Sequence, residues 1–116
     1  MEFSCLGKKY SMQLANIESD TSIWGFHGYY RNIRFEDLKG VLSINCQTDT
    51  EPNYFEGEDY IHLYDSANVK IGVAREDSSY QWKEMLISDY LVVNYICKEE
   101  GVSLLDQSLL SIKKIE

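Results

Sequence analysis

Residues 81–99 read QWKEMLISDYLVVNYICKE, and the reading of this stretch decides the fold. Trp82, Leu86, Val93 and Cys97 fall at helical spacing, with Met85, Leu91 and Ile96 widening the apolar face. Glu84 comes early and Lys98 late, as a helix dipole prefers, while Glu99 and Glu100 oppose it. Gly101 suits the left-handed residue that ends a helix. The expectation is a helix over about 81–99. The inner run LVVNYI is rich in β-formers, so a shorter helix followed by a strand stays open. The tail VSLLDQSLLSIKKI also reads two ways. Leu105, Leu109 and Ile112 are helically spaced, yet LLSIKKI would serve as a last strand.

Upstream, the pattern changes to a period of two. Gly7 with Lys8 and Lys9 marks a turn after a short first strand over 2–6. Tyr10, Met12 and Leu14 then alternate with Ser11, Gln13 and Ala15, a half-buried strand over 9–17. The polar run 16–22 reads as a turn. In 23–35, Gly25 and Gly28 argue against a helix and for a bent or bulged strand. Leu42, Ile44 and Cys46 alternate with Ser43, Asn45 and Gln47 in another strand. Residues 60–74 form the best hairpin, with Asp65-Ser66-Ala67-Asn68 between its arms. Strands followed by a helix give an α+β domain: an antiparallel sheet of about five to six strands with one main helix, about 81–99, on one face.

At 116 residues the chain reads as a single domain, 1–116. Its 13% aromatic content excludes disorder, and no apolar run reaches the ~18 residues of a membrane helix. Nineteen acids against eleven bases leave −8, which repels phosphates and makes direct nucleic-acid binding improbable. The start, MEFSCLGKKY, lacks the basic and apolar regions of a signal peptide, so the expected compartment is the cytosol. Cys5, Cys46 and Cys97 form no CxxC pair and are expected to be reduced, with Cys46 and Cys97 as core fillers.

The clearest feature is a gap in the bases. Residues 40–69 contain no Lys or Arg and six acids: Asp49, Glu51, Glu56, Glu58, Asp59 and Asp65. The other 86 residues hold thirteen acids and eleven bases, so the negative charge is concentrated in one segment. Within it, TDTEPNYFEGEDY (48–60) interleaves Tyr54, Phe55 and Tyr60 with five acids, and is expected to be a loop between strands. Rings bury area at low entropy cost, and carboxylates meet Arg or Lys on a partner. Asp49, Glu51, Tyr54, Phe55, Glu56, Glu58, Asp59 and Tyr60 are therefore the candidate partner-binding residues. The bland alternative is a solvated acidic loop whose Phe55 or Tyr54 tucks into the core.

Other chemistry finds less support. An EF-hand register starting at Asp49 places Tyr54 where Gly is needed and Tyr60 where the last Glu is needed. Neither a metal nor a cofactor is expected. The two histidines, His27 and His62, belong to no HExxH motif, and GxSxG, GxGxxG and P-loop motifs are missing from the sequence. No catalytic residue is expected. A small enzyme or ligand-binding domain with a His/Tyr-lined pocket remains the alternative, as does an accessory subunit that pairs through an edge strand.

In its size, acidity, lack of catalytic motifs and base-free segment 40–69, the chain resembles the small acidic immunity proteins of bacterial toxin systems, such as those of contact-dependent growth inhibition. The resemblance is one of class and spans no shared motif. It implies a non-catalytic inhibitor that binds and neutralises a cationic toxin, such as a nuclease, through a basic surface on that partner.

Overall fold

The structure is a computed structural model that describes residues 1–14, 19–25, 28–35, 38–47, 54–88 and 90–115; over 19–25, 28, 29 and 47 only the backbone is described. The strands are β1 (Glu2–Cys5), β2 (Lys8–Ser11), β3 (Ser19–Gly25), β4 (Gly28–Phe35), β5 (Gly40–Gln47), β6 (Tyr60–Asp65), β7 (Val69–Ala74), β8 (Tyr80–Ser88), β9 (Leu91–Lys98) and β10 (Lys113–Lys114). One helix, α1 (Glu99–Leu110), lies between β9 and β10. The fold is α+β, with two antiparallel sheets. The smaller has the order β1-β2-β10; the larger has seven strands in the order β3-β4-β5-β9-β8-β7-β6.

The helix expected at 81–99 is instead the β8–β9 hairpin, paired from Tyr80↔Lys98 to Ser88↔Leu91. β9 occupies the middle of the large sheet, and Leu91, Val92, Val93, Asn94, Tyr95 and Cys97 are all buried. A strand covered on both faces needs apolar residues at consecutive positions, and such a run is indistinguishable from a buried helix by periodicity. The real helix begins where the expected one was to end. Glu99 and Glu100 form its first turn, where the dipole favours them. Gly101 is not a terminator but a contact: a Cβ there would come within 2.8 Å of Leu38 Cβ, so glycine lets the helix settle against that side chain.

The bent strand expected at 23–35 is a hairpin, with Gly25↔Gly28 as the last pair before residues 26 and 27. The strand expected over 9–17 is shorter, ending at Ser11, and the polar turn read over 16–22 contains the backbone of β3 from Ser19. The turn after β1 is tight: Leu6 (φ 51°) and Gly7 (φ 81°) give the left-handed pair that two-residue hairpins require.

Alternate residues of the large sheet point to its two faces. On the front face, Ile33, Leu42, Ile44, Val93 and Tyr95 pack against Leu105 and Leu109 of α1, against Phe3 and Tyr10 of the small sheet and against Met12 just after β2. Lys83 Nζ and the Tyr95 hydroxyl both donate to Asp106 Oδ1, at 2.7 and 3.3 Å, and fix α1 to β8 and β9.

The expectation that all three cysteines are reduced is also corrected. Cys5 and Cys46 form a disulfide, with Cα atoms 5.7 Å apart, that joins the small sheet to the large one. Their 41-residue separation gave no hint of this, because sheet packing and not chain proximity brings β1 onto β5. Cys97 is free and buried.

Candidate functional site

The back face of the large sheet carries two rows of cross-strand neighbours that matter for the acidic segment. The first is polar: Asp65 pairs with Lys70, Lys70 with Glu84, Glu84 with Asn94, Asn94 with Ser43, and Ser43 with Asn32. Asn94 Nδ2 donates to Glu84 Oε2 at 3.1 Å, and Ser43 Oγ donates to Asn32 Oδ1 at 2.7 Å. The second row is His62, Gly72, Trp82, Ile96, Val41 and Arg34. Trp82 lies across Gly72, where a Cβ would meet the ring at 2.5 Å, and its indole N–H donates to the Val73 carbonyl at 3.1 Å.

Strand order dictates where the acidic segment runs. The chain leaves β5 inside the sheet and must reach β6 at the far edge, past β9, β8 and β7. Contacts with Glu84 and Trp82 place residues 54–59 as a strap on the back face. The Tyr54 N–H donates to Glu84 Oε1 at 3.2 Å. The Phe55 ring stacks on Trp82 with centroids 4.4 Å apart. Arg75 Nε donates to the Glu58 carbonyl at 2.6 Å, and its backbone N–H donates to the Asp59 carbonyl at 2.8 Å. Tyr60 meets Phe55 edge-on at 4.9 Å.

His62 is the central fastening. Its Nε2 lies 2.6 Å from the Phe55 carbonyl and its Nδ1 lies 2.7 Å from Asp65 Oδ1, with Glu56 Oε2 3.4 Å from Nε2. Both ring nitrogens face acceptors, so both must carry protons, and this geometry belongs to the imidazolium. The hydrogen bond that His62 donates to Asp65 is the main cause that raises the His62 pKa above its usual range, and burial opposes it. Glu84 is also raised, because its carboxylate is desolvated more strongly than Asn94 and the Tyr54 amide compensate. Burial likewise raises Tyr54, with Tyr30, Tyr60 and Glu84 adding to the shift.

The structure divides the candidate residues. Tyr54 is 58% exposed, whereas Phe55 is 1% exposed, so Phe55 anchors the strap to the sheet and not to the surroundings. Tyr60 is half-buried. Glu56, Glu58 and Asp59 are exposed. Glu56 is shared with Lys70 Nζ at 3.4 Å, a cation that folds in from β7. Among the described residues, the Glu58 and Asp59 carboxylates meet no cation. Asp49 and Glu51 lie outside the described residues, as does His27, which the enzyme alternative would use. Among the described residues, no group of His, Cys, Asp and Glu could hold a metal ion.

Sequence reasoning missed two residues of this surface. Leu63 and Tyr64 are 67% and 56% exposed on β6, an edge strand with a register shift between His62 and Tyr64. The shift gives the strand an extra residue at Leu63 and pushes apolar groups outward beside the carboxylates. Alternation alone could not have shown it, because a bulge breaks the alternation. Over 54–77 the chain carries six acids and two bases, so the edge remains net negative even with Lys70 and Arg75 in place.

Comparison of the chain with protein-family models, curated proteins and solved structures found no match.

Proposed function

We propose that this chain is a non-catalytic binding protein of the immunity or inhibitor type, which docks a basic protein partner along β6 and the strap. The observation that carries the reading is the exposure of Tyr54, Leu63 and Tyr64 around carboxylates that have few internal cations. The apolar groups would be the contact core, and Glu58 and Asp59 would meet Arg or Lys of the partner. The backbone of the strap is already held by Glu84, His62 and Arg75, so little ordering entropy opposes binding. The partner class, a cationic toxin, is the one that the charge and the resemblance to immunity proteins support.

The compartment is part of the same reading. The cytosolic expectation requires Cys5 and Cys46 to be thiols, whereas a bonded pair favours an oxidising compartment. Alkylation of the protein at the moment of cell lysis distinguishes the two.

The test is neutralisation. A basic protein captured from the native host is expressed in a heterologous bacterium with this chain or with its Glu58→Lys/Asp59→Lys variant. The wild type restores growth and the variant does not. Equal protection by both, or no toxicity to neutralise, contradicts the proposal.

A further inference from the structure

The strap covers only part of the back face. In the row that contains Trp82, Phe55 covers the indole, but Ile96, Val41 and Arg34 continue beyond it. There the surface opens into a groove of about 560 Å³ lined by Val41, Ile96, Phe35 and Tyr80 together with Arg34 and Lys39. This volume is that of a small-molecule site, on the order of 300–1,000 Å³.

We propose that this groove binds a small organic anion: a flat apolar body on Val41, Ile96 and Tyr80, and a carboxylate, sulfonate or phosphate held by Arg34 and Lys39. Three observations carry the proposal. The first is composition: apolar side chains and two cations lining one groove are what an amphiphilic anion needs, with the body desolvated and the acid group on charge-assisted hydrogen bonds.

The second is the state of the cations. Elsewhere on the large sheet Lys70, Lys83 and Lys98 each end on a carboxylate, and Arg75 ends on a backbone carbonyl. Arg34 and Lys39, both exposed, end on none among the described residues, in a chain whose formal charge is −8. Lys39 also holds a left-handed backbone (φ 49°), a conformation uncommon for a non-glycine residue.

The third is size selection by charge. A polyanion such as nucleic acid would experience the field of the whole acidic chain and be repelled. A compact monoanion samples the groove itself, where Arg34 and Lys39 are the charged groups that line it among the described residues. The ligand class is therefore a one- or two-ring acid or a short acyl acid, not a macromolecule.

The full chain labelled with ¹⁵N is titrated with 2-naphthalenesulfonate and, separately, with uncharged 2-naphthalenemethanol. The sulfonate shifts the amides of Lys39, Val41, Tyr80 and Ile96 along one saturating 1:1 curve. The alcohol binds at least about tenfold more weakly. The Arg34→Gln/Lys39→Gln variant, whose side chains are exposed, keeps its spectrum elsewhere and its melting temperature, and loses at least about tenfold in sulfonate affinity. Unsaturable shifts scattered over the surface, equal binding of the alcohol, or undiminished binding by the variant would each overturn the proposal. None of these outcomes bears on partner docking at β6.

Discussion

Phe55 lies on Trp82 with ring planes 11° apart and centroids 4.4 Å apart, and this contact joins the acidic segment to the sheet it crosses. Its position follows from strand order. Residues 54–59, the described part of the link from β5 to the far edge, lie on the back face, and Phe55 among them meets the aromatic residue that already bridges Gly72. The ring that the sequence offered either as a partner anchor or as a side chain tucked into the core is the latter, and it makes the neighbouring carboxylates a fixed surface.

Truncation of this pair should therefore loosen the strap as well as open a cavity. Phe55→Ala is expected to lower stability by about 3–4 kcal/mol in urea unfolding. The double variant with Trp82→Ala should fall short of the sum of the single losses by about 1 kcal/mol, since the rings stack on each other. Strict additivity would contradict the stacking.

Glu84 holds the Tyr54 amide from beneath, and its pKa is raised mainly by burial. A raised acid binds its proton more tightly when folded, so its contribution to stability falls as pH rises from about 4.5, the unfolded value, through the higher folded one. Glu84→Gln removes that titration. The variant should gain on the wild type as pH rises across this window in paired urea titrations. A stability gap that stays constant from pH 4 to 8 would exclude a strained buried carboxylate.

His62 gives a second window. Its folded pKa is raised, so its stabilisation is fully present below about 6.5 and is lost as pH rises through the folded value. Hydrogen exchange should show the Tyr54–Tyr60 segment opening more readily above that window, and His62→Gln should show open behaviour at every pH. Protection of the segment that is unchanged in the variant would show that Asp65 and the Phe55 carbonyl do not depend on the imidazolium.

Much of this fold was legible in the sequence, and the failures have physical causes. Period-two alternation located β5, β6 and β7, because Leu42, Ile44 and Cys46 on one side and polar residues on the other report a strand with unequal faces. It failed for 81–99, where β9 is buried on both faces and has no polar side to report. Glu99 and Glu100 were the overlooked signal: acids that oppose one helix end fit the start of the next. For the site, the charge gap located the strap, but Lys70 and Arg75 arrive through tertiary pairing that no linear count contains. Leu63 and Tyr64 escaped for the same reason, since their exposure depends on a bulge and on β6 being an edge.

The cysteines provide a count. With Cys5 and Cys46 bonded, and Cys97 buried with its thiol pushed up to about 11, the native protein should react with no thiol reagent at pH 8. Unfolding without reductant should expose one thiol, and unfolding with reductant all three. Replacing Cys5 and Cys46 by Ser should cost roughly 2–4 kcal/mol of stability. Three reactive thiols in unfolded, unreduced protein would mean that the sheets are not covalently joined.

The most direct measurement of the central claim is the association rate of the chain with its captured basic partner as a function of ionic strength. The account predicts a rate that falls steeply as salt shortens the screening length toward about 8 Å, with a much shallower slope for the Glu58→Lys/Asp59→Lys variant. A partner that associates with both proteins at the same rate at every salt concentration would contradict it.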